Sequence, residues 1–281
     1  MSHQSLARQA AIAHNVRRRG RVTRVLEFEI HGVCPLLTAV LSDIHGNLEA
    51  LNACLGHARE RGAERFAFLG DLVGYGADPG WVTDRAMEYV ARGAIAILGN
   101  HDAAAAGEAL SMSQTAAEAI VWTRGKLDAA QRNFLEKLPL TVEDGDRLYV
   151  HASADEPSRW HYVLDTRRAR KSLDATAAQQ SYCGHVHQPA LYLLTRIGKL
   201  FEFTSTPGVA IPLLPGRRSL AVLGAVGQPR DHNPAACYAL LDEAQNMLTY
   251  IRVPYDVASA ARKIRQAGLP PVLAARLEQG Y

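Results

Sequence analysis

The chain has 281 residues, of which 48% are hydrophobic and 21% are charged, as in a globular protein with a sizeable core. No apolar stretch approaches the roughly 18 residues that a membrane helix needs, which argues against a membrane-spanning protein. The net charge is +3, but residues 1–34 contain six Arg and two Glu, a balance of +4 that leaves −1 for the other 247 residues. The body of the chain therefore lacks the positive field of an extended nucleic-acid surface.

The cysteines and the N-terminus predict a cytoplasmic protein. The four cysteines occur without C-x-x-C spacing, which is typical of reduced core thiols and not of a disulfide framework: Cys34, Cys54, Cys183 and Cys237. The Arg-rich N-terminus has no continuous apolar region and so does not resemble a secretory signal.

Two segments of different character are expected. Residues 1–34 are predicted to form a basic, flexible N-terminal extension, and residues 35–281 are predicted to form one α/β domain. The cluster Arg17-Arg18-Arg19-Gly20-Arg21 in the extension could contact phosphate or an anionic surface, or it could belong to a passive tail.

From residue 36 onward, the hydrophobic pattern predicts strands that alternate with helices. Leu48, Leu51, Leu55 and Ala58 recur at helical spacing, and Gly62 is a suitable end for that helix. Further strands are predicted at 36–41, 65–69, 94–98 and 148–150, and further helices at 81–90, 113–122 and 128–138. A basic helix near 167–173 and a strand at 181–183 come next. Strands at 190–194, 200–204, 220–223, 237–241 and 248–253 precede a final helix, from 257 to about 268.

Five predicted strands end in a residue that could bind a metal ion, or in a Gly followed by one. Asp43 and His45 stand two apart, so an extended backbone would aim both side chains to the same side. The alternative is a capping Asp beside an incidental His, with Asn47 as the N-cap of the next helix. Sites in open α/β sheets gather beyond the carboxyl ends of the strands, so the five loops are expected to converge. The five segments are Ser42-Asp43-Ile44-His45-Gly46-Asn47, Gly70-Asp71, Gly99-Asn100-His101-Asp102, His151 and Gly184-His185-Val186-His187.

The candidate ligands combine imidazole nitrogens with carboxylate and amide oxygens. This mixture suits Mn, Fe, Zn, Co or Ni and fits poorly with the all-oxygen sites of Ca or Mg. Seven ligands are too many for one ion that must also hold a substrate, and they suit two ions about 3.5–4 Å apart. The candidates are Asp43, His45, Asp71, Asn100, His151, His185 and His187.

In this order, the five segments resemble the motifs of the calcineurin-like metallophosphoesterases. The resemblance implies a four-layer αββα sandwich, in which helices flank two mixed β-sheets, and a phosphoric ester hydrolase with two divalent ions. Mn is the first choice of metal, with Fe, Zn, Ni and Co as alternatives. A hydroxide that bridges the two ions would attack phosphorus in line. The implied ligands are Asp43, His45 and His187 for the first ion and Asn100, His151 and His185 for the second, with Asp71 between them.

The same resemblance gives roles to two residues that are not ligands. His101 is implied to act as the general acid for the leaving alkoxide, or else to steady the phosphate. Asp102 is implied to hold the tautomer and the orientation of His101.

Three further segments are similar to a bacterial and archaeal branch of phosphodiesterases and diadenosine-tetraphosphatase-like proteins: 70–79, 226–231 and 253–256. Arg230 is a candidate for a phosphate contact, and a salt bridge to Asp231 or another neighbour is the alternative. Tyr75 is a further candidate for a substrate contact. Its segment Gly74-Tyr75-Gly76 could be a phosphate-binding loop, although it lacks a following helix at the right spacing. His161 could line the pocket or be an ordinary surface residue. The branch usually has Asn-Pro-Gly-Ser where this chain has Val222-Leu223-Gly224-Ala225, which weakens the case for a phosphate contact by that loop.

The resulting hypothesis is a cytoplasmic phosphodiesterase that acts on a small phosphoester or a nucleotide. A phosphomonoesterase with the same metals, acting on a phosphoprotein or a nucleotide, is the alternative. A non-catalytic binding scaffold is a remote third possibility, because such scaffolds lose ligands and this chain keeps all of them.

Overall fold

The computed structural model describes residues 36–281 and, before them, two strands of two residues each, β1 (Ile12–Ala13) and β2 (Leu26–Glu27). The chain divides into two units, Met1–Cys34 and Pro35–Tyr281. In the first unit β1 and β2 pair in antiparallel fashion, with Ile12 opposite Glu27. The remainder of the predicted basic extension, including its cluster at 17–21, lies outside the described residues.

The second unit alternates strands and helices in its first half and is strand-rich afterwards. None of the helices that the structure describes is long and apolar enough to cross a membrane. In chain order the elements are β3 (Leu37–Leu41), α1 (Leu48–Glu60), β4 (Ala63–Phe68), α2 (Pro79–Val90), β5 (Ile95–Ala96), α3 (Asn100–Ala106), α4 (Gln114–Arg124), α5 (Ala129–Glu136), β6 (Thr141–Asp144), β7 (Arg147–Val150), a 3₁₀ turn (Pro157–Arg159), α6 (Thr166–Asp174), β8 (Gln180–Cys183), β9 (Ala190–Leu194), β10 (Leu200–Phe203), β11 (Ala210–Pro212), β12 (Arg218–Val222), β13 (Ala236–Asp242), β14 (Met247–Val253), α7 (Val257–Gln266) and α8 (Pro271–Gln279).

The strands form two six-stranded sheets of mixed direction. The first has the order β11-β14-β13-β3-β4-β5, and the second has the order β10-β9-β12-β8-β7-β6. Neighbours β3, β4 and β5 are parallel in the first sheet, and β7, β8 and β12 are parallel in the second. Because the two sheets pack against each other and helices cover their outer faces, the predicted αββα sandwich is confirmed.

The core between the sheets is built from alternate residues of facing strands. Val40 and Leu69 come from the first sheet and its edge, and Tyr149 and Tyr182 stack at 5.4 Å between ring centroids on the second. Tyr250 of the first sheet donates its hydroxyl to the carbonyl of Ala190, the first residue of β9 in the second sheet, at 2.8 Å. A buried tyrosine needs such a partner, so this bond links the sheets as well as filling the core.

Helices cover the outer faces of both sheets. On the first sheet, α1 buries Leu51 and Leu55, while on the second α6 buries Ala169 and Leu173. Asn47 caps α1 as predicted, because its side chain accepts the N–H of Ala50 at 3.1 Å.

Four α-helices and strands of the second unit were not predicted from the sequence: α3, β6, β11 and α8. Helix α3 begins inside the third motif, where Asp102 accepts the N–H of Gly99 at 3.1 Å and so stabilises the first turn. Strands β6 and β11 are short edge strands with exposed residues, so their hydrophobic pattern is weak. The expectation that the helix after Asp256 is the last one is wrong, since α8 starts at Pro271.

Candidate metal centre

The loops after five strands meet at one edge of the sandwich. Strands β3, β4 and β5 are parallel neighbours, as are β7 and β8, so their carboxyl ends point the same way within each sheet. Backbone bonds join the loops directly. The N–H of His45 donates to the carbonyl of Asp71 at 2.9 Å, and that of Gly184 donates to the carbonyl of His151 at 2.9 Å. Backbone hydrogen bonds alone therefore hold these loops, and the motif residues on them, next to each other.

One cluster of buried side chains consists of Asp43, His45 and His187. The Nε2 atoms of His45 and His187 lie 3.1 Å apart, and Nε2 of His187 lies 3.3 Å from Oδ1 of Asp43. The three side chains are at most 2% exposed. One small cation could therefore contact all three ligand atoms.

A second buried cluster consists of Asp71, His151 and His185. Nε2 of His151 lies 3.1 Å from Nδ1 of His185 and 3.4 Å from Oδ2 of Asp71. The same Asp71 oxygen lies 3.6 Å from Nε2 of His45 in the first cluster. Asp71 is thus positioned between the two clusters.

The hydrogen bonds of the histidines test whether a metal ion fits. The Nδ1 atom of His45 faces the carbonyl of Val73, that of His151 faces Leu69, and that of His187 faces Gln228. Because a carbonyl only accepts, Nδ1 is the donor in all three histidines. In neutral His45 and His187 the Nε2 atoms then present lone pairs to each other, which is repulsive unless a cation lies between them. Among the described residues, the buried Oδ1 of Asn100 has no hydrogen-bond partner. The donor set therefore fits transition-metal ions.

The backbone at these motifs is left-handed. Asp43 and His45 have φ of 53° and 49°, so the expectation that an extended backbone aligns their side chains is wrong. Asp71, His185 and His187 also have positive φ, between 50° and 68°. Such conformations cost about 1–3 kcal/mol each for residues other than Gly, and they persist where the surroundings impose them, as at functional sites.

Two motif glycines are required by close approach. A Cβ atom at Gly184 would overlap the hydroxyl of Ser42 and lie 2.5 Å from Oδ2 of Asp43, and one at Gly99 would overlap the backbone N of Asp71. The backbone N–H of His185 instead donates to both oxygens of Asp43, at 3.2 and 3.0 Å. The glycines let neighbouring loops approach closely enough to share the centre.

Burial and charge set the protonation of the ligands. Burial lowers the pKa of His45 and His187 well below the usual value and that of His185 to about 3, which favours neutral imidazoles. Burial also lowers the pKa of His151, but the carboxylate of Asp71 outweighs it and raises the pKa to about 9. For Asp71 burial raises the pKa, and the charges of His151 and His101 reverse that effect. The attraction between the two groups therefore favours an anionic Asp71, the form in which a carboxylate binds a metal ion.

Within the part of the chain that the structure describes, the side chains of Asp102 and His101 share no hydrogen bond, although the resemblance implied one. Asp102 instead accepts the backbone N–H groups of Val73 and Gly99, both at 3.1 Å, and is fully buried. His101 is held by ring packing, 4.4 Å from Tyr75 and 4.8 Å from His45 between centroids, and its Nδ1 has no partner. The expectation for Asp102 is corrected because its oxygens join two loops.

Arg230 lies beside the centre. Its guanidinium group is 5.8 Å from the ring centroid of Tyr75, and its Nη2 donates to Oε1 of Gln228 at 3.0 Å. Asp231 pairs with Arg252, so the alternative of a salt bridge between Arg230 and Asp231 is wrong. The structure thus brings Arg230 and Tyr75 to the same wall of the site.

The described contacts of His161 are with a surface residue, whereas its two neighbours pack on ligand histidines. Its Nε2 lies 3.7 Å from Oε2 of Glu156, a residue on the surface. Tyr162 stacks on His185 at 4.0 Å and 17°, and the ring of Trp160 lies 5.8 Å from that of His151. From this segment the sequence analysis singled out His161 and not Trp160 or Tyr162, because loop residues have no periodicity that shows where they point.

Residues 222–225, which depart from the branch pattern, pack in the interior and adjoin the first motif. Leu223 and Ala225 are fully buried, and the N–H of Leu223 donates to the carbonyl of Cys183 at 2.6 Å. Just beyond them, the N–H of Gly227 donates to the carbonyl of Asp43 at 2.9 Å. The segment thus has a role in packing, and the residues after it hold the backbone of the first motif in place.

Comparison with known proteins gives consistent matches. The family model for the calcineurin-like phosphoesterase superfamily domain matches residues 36–246, which include all five motifs. The uncharacterized protein MJ0912 of Methanocaldococcus jannaschii is 32% identical over 257 residues, which cover 87% of this chain and 98% of that protein. A crystal structure of a metallophosphoesterase from Sphaerobacter thermophilus is 33% identical, with a TM-score of 0.78, and the match covers 88% of this chain and 100% of the other. The hypothetical protein PH1004 of Pyrococcus horikoshii, 21% identical with a TM-score of 0.68, shares the fold over 88% of this chain and 99% of its own.

Proposed function

The chain belongs to the calcineurin-like phosphoesterase superfamily and is a phosphoester hydrolase, and we propose that its metal centre holds two divalent ions and cleaves phosphodiesters. The observation that carries the proposal is the pair of buried clusters with Asp71 between them. Two ions held about 3.5–4 Å apart are a known arrangement for displacement at phosphorus. Manganese is the proposed metal because the resemblance to the family implies it, and the carboxylate and amide oxygens among the ligands suit it.

Each cluster would hold one ion. Asp43, His45 and His187 would bind the first, with carbonyl bonds keeping the two imidazoles in the required tautomer. Ions held there would supply Lewis acidity, which lowers the pKa of a water molecule and offsets the charge that develops on the phosphoryl oxygens. The second ion would be bound by Asn100, His151 and His185, and Asp71 would serve both.

The other residues would position the substrate. The guanidinium group of Arg230 would hold phosphoryl oxygens, for which its planar fork of donors is suited. It lies close enough to the centre for its charge to help burial lower the pKa of four histidines: His45, His101, His185 and His187. The ring of His101 packs against His45 and would donate a proton to the leaving alkoxide or steady the phosphate. In this proposal Asp102 holds the loops that carry His101 and Asp71.

The choice of diesters over monoesters rests on two arguments. Residues 70–79, 226–231 and 253–256 are similar to segments of a phosphodiesterase branch. Arg230 is the cationic side chain that the described residues place beside the clusters, and a single guanidinium matches the single negative charge of a diester. A phosphomonoesterase with the same metals remains the second candidate, since a dianionic monoester could also bind the two ions.

We also propose a cytoplasmic location. Cys54, Cys183 and Cys237 are buried free thiols, as expected in a reducing compartment.

The test is hydrolysis and metal content measured together. The purified protein with Mn²⁺ should hydrolyse bis-p-nitrophenyl phosphate faster than p-nitrophenyl phosphate, and it should contain two Mn per chain. EDTA should abolish the activity, and added Mn²⁺ should restore it. Asp71→Ala should lose both ions, whereas Asp146→Asn, at an exposed turn, should keep them. Full activity after chelation and dialysis would overturn the metal mechanism, and a strong preference for the monoester would favour the second candidate.

A further inference from the structure

Trp160 and Tyr162 belong to residues 160–164, here named the aromatic loop, and they pack on ligand histidines of the metal centre without a role in the proposed mechanism. Tyr162 lies against His185 with 4.0 Å between ring centroids and 17° between ring planes. The side chain is nevertheless 46% exposed. One face of the phenol ring is therefore covered by a ligand imidazole, and much of the rest is open to solvent beside the centre.

The loop is fixed on both sides of Tyr162. The N–H of Ser153 donates to the carbonyl of His161 at 3.1 Å, which ties the loop to the strand end that carries His151. Val163 is 2% exposed and packs in the same hydrophobic cluster as Leu173 and Cys183. A ring held between two such anchors loses little conformational freedom when a ligand stacks on it.

The phosphate-binding side of the centre is adjacent. Arg230 acts electrostatically on the hydroxyl of Tyr162 as well as on that of Tyr75, over whose ring its guanidinium lies. A ligand whose phosphoryl group binds at the two clusters and Arg230 can therefore extend a substituent toward Tyr162. The second face of the phenol ring then offers a flat, apolar surface for a planar group.

We propose that Tyr162 is a stacking platform that makes the enzyme prefer phosphoesters with a planar aromatic substituent. A nucleobase or a simple aryl group would lie on the exposed face of the ring, with the phosphoryl group at the metal clusters. Stacking on an aromatic side chain tolerates any base, because every base has a π-face. Alkyl esters lack that face and should bind more weakly. This inference rests on the proposed function, since it assumes that phosphate binds at the clusters.

A purely structural role is the competing explanation. Tyr162 could serve only to orient His185, and its removal would then weaken metal binding and the binding of every substrate alike. A platform predicts instead that the loss is selective for aromatic ligands. Measurements of ligand affinity and of metal content distinguish the two roles, and neither measurement depends on catalytic turnover.

The experiment uses ligands that the enzyme cannot cleave. The affinity of the Mn²⁺-loaded protein is measured by calorimetry for phenylphosphonate and cyclohexylphosphonate, which have equal carbon counts but differ in planarity. A second pair consists of the isosteres of AMP and ribose 5-phosphate in which CH₂ replaces the 5′ oxygen. Wild type should bind the aromatic member of each pair about tenfold more tightly, as expected for one stacked ring. A preference within the first pair only identifies the stacked group as a simple aryl group, and a preference within the second pair only identifies it as a nucleobase.

Variants assign the preference to Tyr162. Tyr162→Phe should keep it, and Tyr162→Ala should lose it while retaining two Mn per chain and its affinity for the non-aromatic members. Leu164→Ala is the matched control, because Leu164 is exposed in the same loop, and it should behave as wild type. Should Tyr162→Ala fail to fold, Tyr162→Leu replaces it.

Equal affinities within both pairs for wild type would overturn the proposal. It would also be overturned if Tyr162→Ala lost manganese and weakened all four ligands equally, since that result assigns the residue to orienting His185. Failure of the proposed function is recognised separately, by hydrolysis of bis-p-nitrophenyl phosphate that survives EDTA.

Discussion

At the scale of single residues, the tautomers of buried histidines determine what the centre can bind. His45 and His187 each place Nδ1 on a backbone carbonyl and leave Nε2 facing the other imidazole at 3.1 Å. Since burial keeps both neutral, the opposed lone pairs form a site that favours a cation. The carbonyls of Val73 and Gln228 are therefore part of the metal centre, although neither residue is itself a proposed ligand.

His101→Ala should separate catalysis from metal binding. The imidazole packs against His45 and Tyr75 and belongs to no proposed ligand set, so its loss should leave both ions in place. The turnover number should fall by about 10²–10⁴-fold, as for removal of a positioned proton donor. Measuring kcat and Mn content of the same preparations checks this. His232→Asn, at an exposed position outside the motifs, should leave both unchanged. Loss of metal from His101→Ala would instead make His101 a ligand.

Asp102→Ala should act mainly on stability. Removing the carboxylate leaves the buried N–H groups of Val73 and Gly99 without an acceptor. The free energy of unfolding should fall by about 2–6 kcal/mol, since each of the two unsatisfied groups costs roughly 1–3 kcal/mol. Urea denaturation of the metal-free protein measures this. Asp165→Ala removes an exposed N-cap and should cost only about 1 kcal/mol. Unchanged stability with a shifted pH profile of kcat would restore Asp102 as the residue that orients His101.

At the scale of elements, the loops after the strands form one connected unit. Ser42 and Asp43 accept the N–H groups of Val226 and Gly227, and the carbonyl of His45 accepts that of Gly76. Asn47 caps α1 with its oxygen and donates from Nδ2 to the carbonyl of Gly227 at 2.9 Å. The polar ends of separate elements thus satisfy each other, which lets the loops keep their strained backbone.

Gly184→Ala should damage the first metal site directly, because Gly184 touches one of its ligands. The added methyl group would overlap the hydroxyl of Ser42 and press on Asp43, so the β8 loop must move away. We expect loss of about one Mn per chain and a large fall in kcat, measured by metal analysis and hydrolysis. Gly56→Ala is the matched control, because Gly56 lies within α1 with open space around it. It should keep full activity and stabilise the protein by about 0.5–1 kcal/mol. Two tightly bound Mn in Gly184→Ala would contradict the close approach.

At the scale of the whole molecule, a charged cluster joins the two sheets at the edge opposite the metal centre. Glu243, just after β13, accepts bonds from Arg65 of β4 at 3.0 Å and from Arg147 of β7 at 2.8 Å. Thr38 of β3 donates to the same carboxylate. Since β4 belongs to the first sheet and β7 to the second, Glu243 holds together strands that have no backbone bond between them.

Glu243→Gln should therefore lower stability and spare catalysis. It leaves the partly buried guanidinium group of Arg147 with a neutral partner, whereas Arg65 keeps its pair with Asp144 at 2.6 Å. The free energy of unfolding should therefore fall by about 1–3 kcal/mol. Denaturant unfolding and the kcat of the folded protein check the two halves of this prediction. Glu143→Gln, at an exposed position on β6, should change stability by less than about 0.5 kcal/mol. A Glu243→Gln protein as stable as wild type would show that the cluster does not join the sheets energetically.

Removing residues 1–34 should leave activity unchanged within about twofold, because the family match begins at residue 36 and includes every proposed ligand. The measurement is kcat/KM for bis-p-nitrophenyl phosphate with and without the segment, at low and high salt. A rise in KM that appears only at low salt would show that the Arg17–Arg21 cluster attracts the substrate.

The strands and helices were largely predictable because their apolar residues recur with a clear period. The pattern of Leu48, Leu51, Leu55 and Ala58 predicts α1, which the structure has at Leu48–Glu60. Helix α3 was missed because its first turn is the third motif, in which Asn100 and His101 look like loop residues until Asp102 caps Gly99. Motif residues are selected for the centre, so their helical propensity carries little information.

The sequence by itself determined the family, because five motifs stand in the family's order, and the resemblance to that family implied the sandwich fold and the set of candidate ligands. Tertiary structure alone decided the contacts of Asp102 with backbone amides and the stacking of Tyr162 on His185. It also revealed the left-handed backbone at Asp43 and His45. Such features depend on where a loop side chain points after two sheets have packed, and no local period in the sequence records that direction.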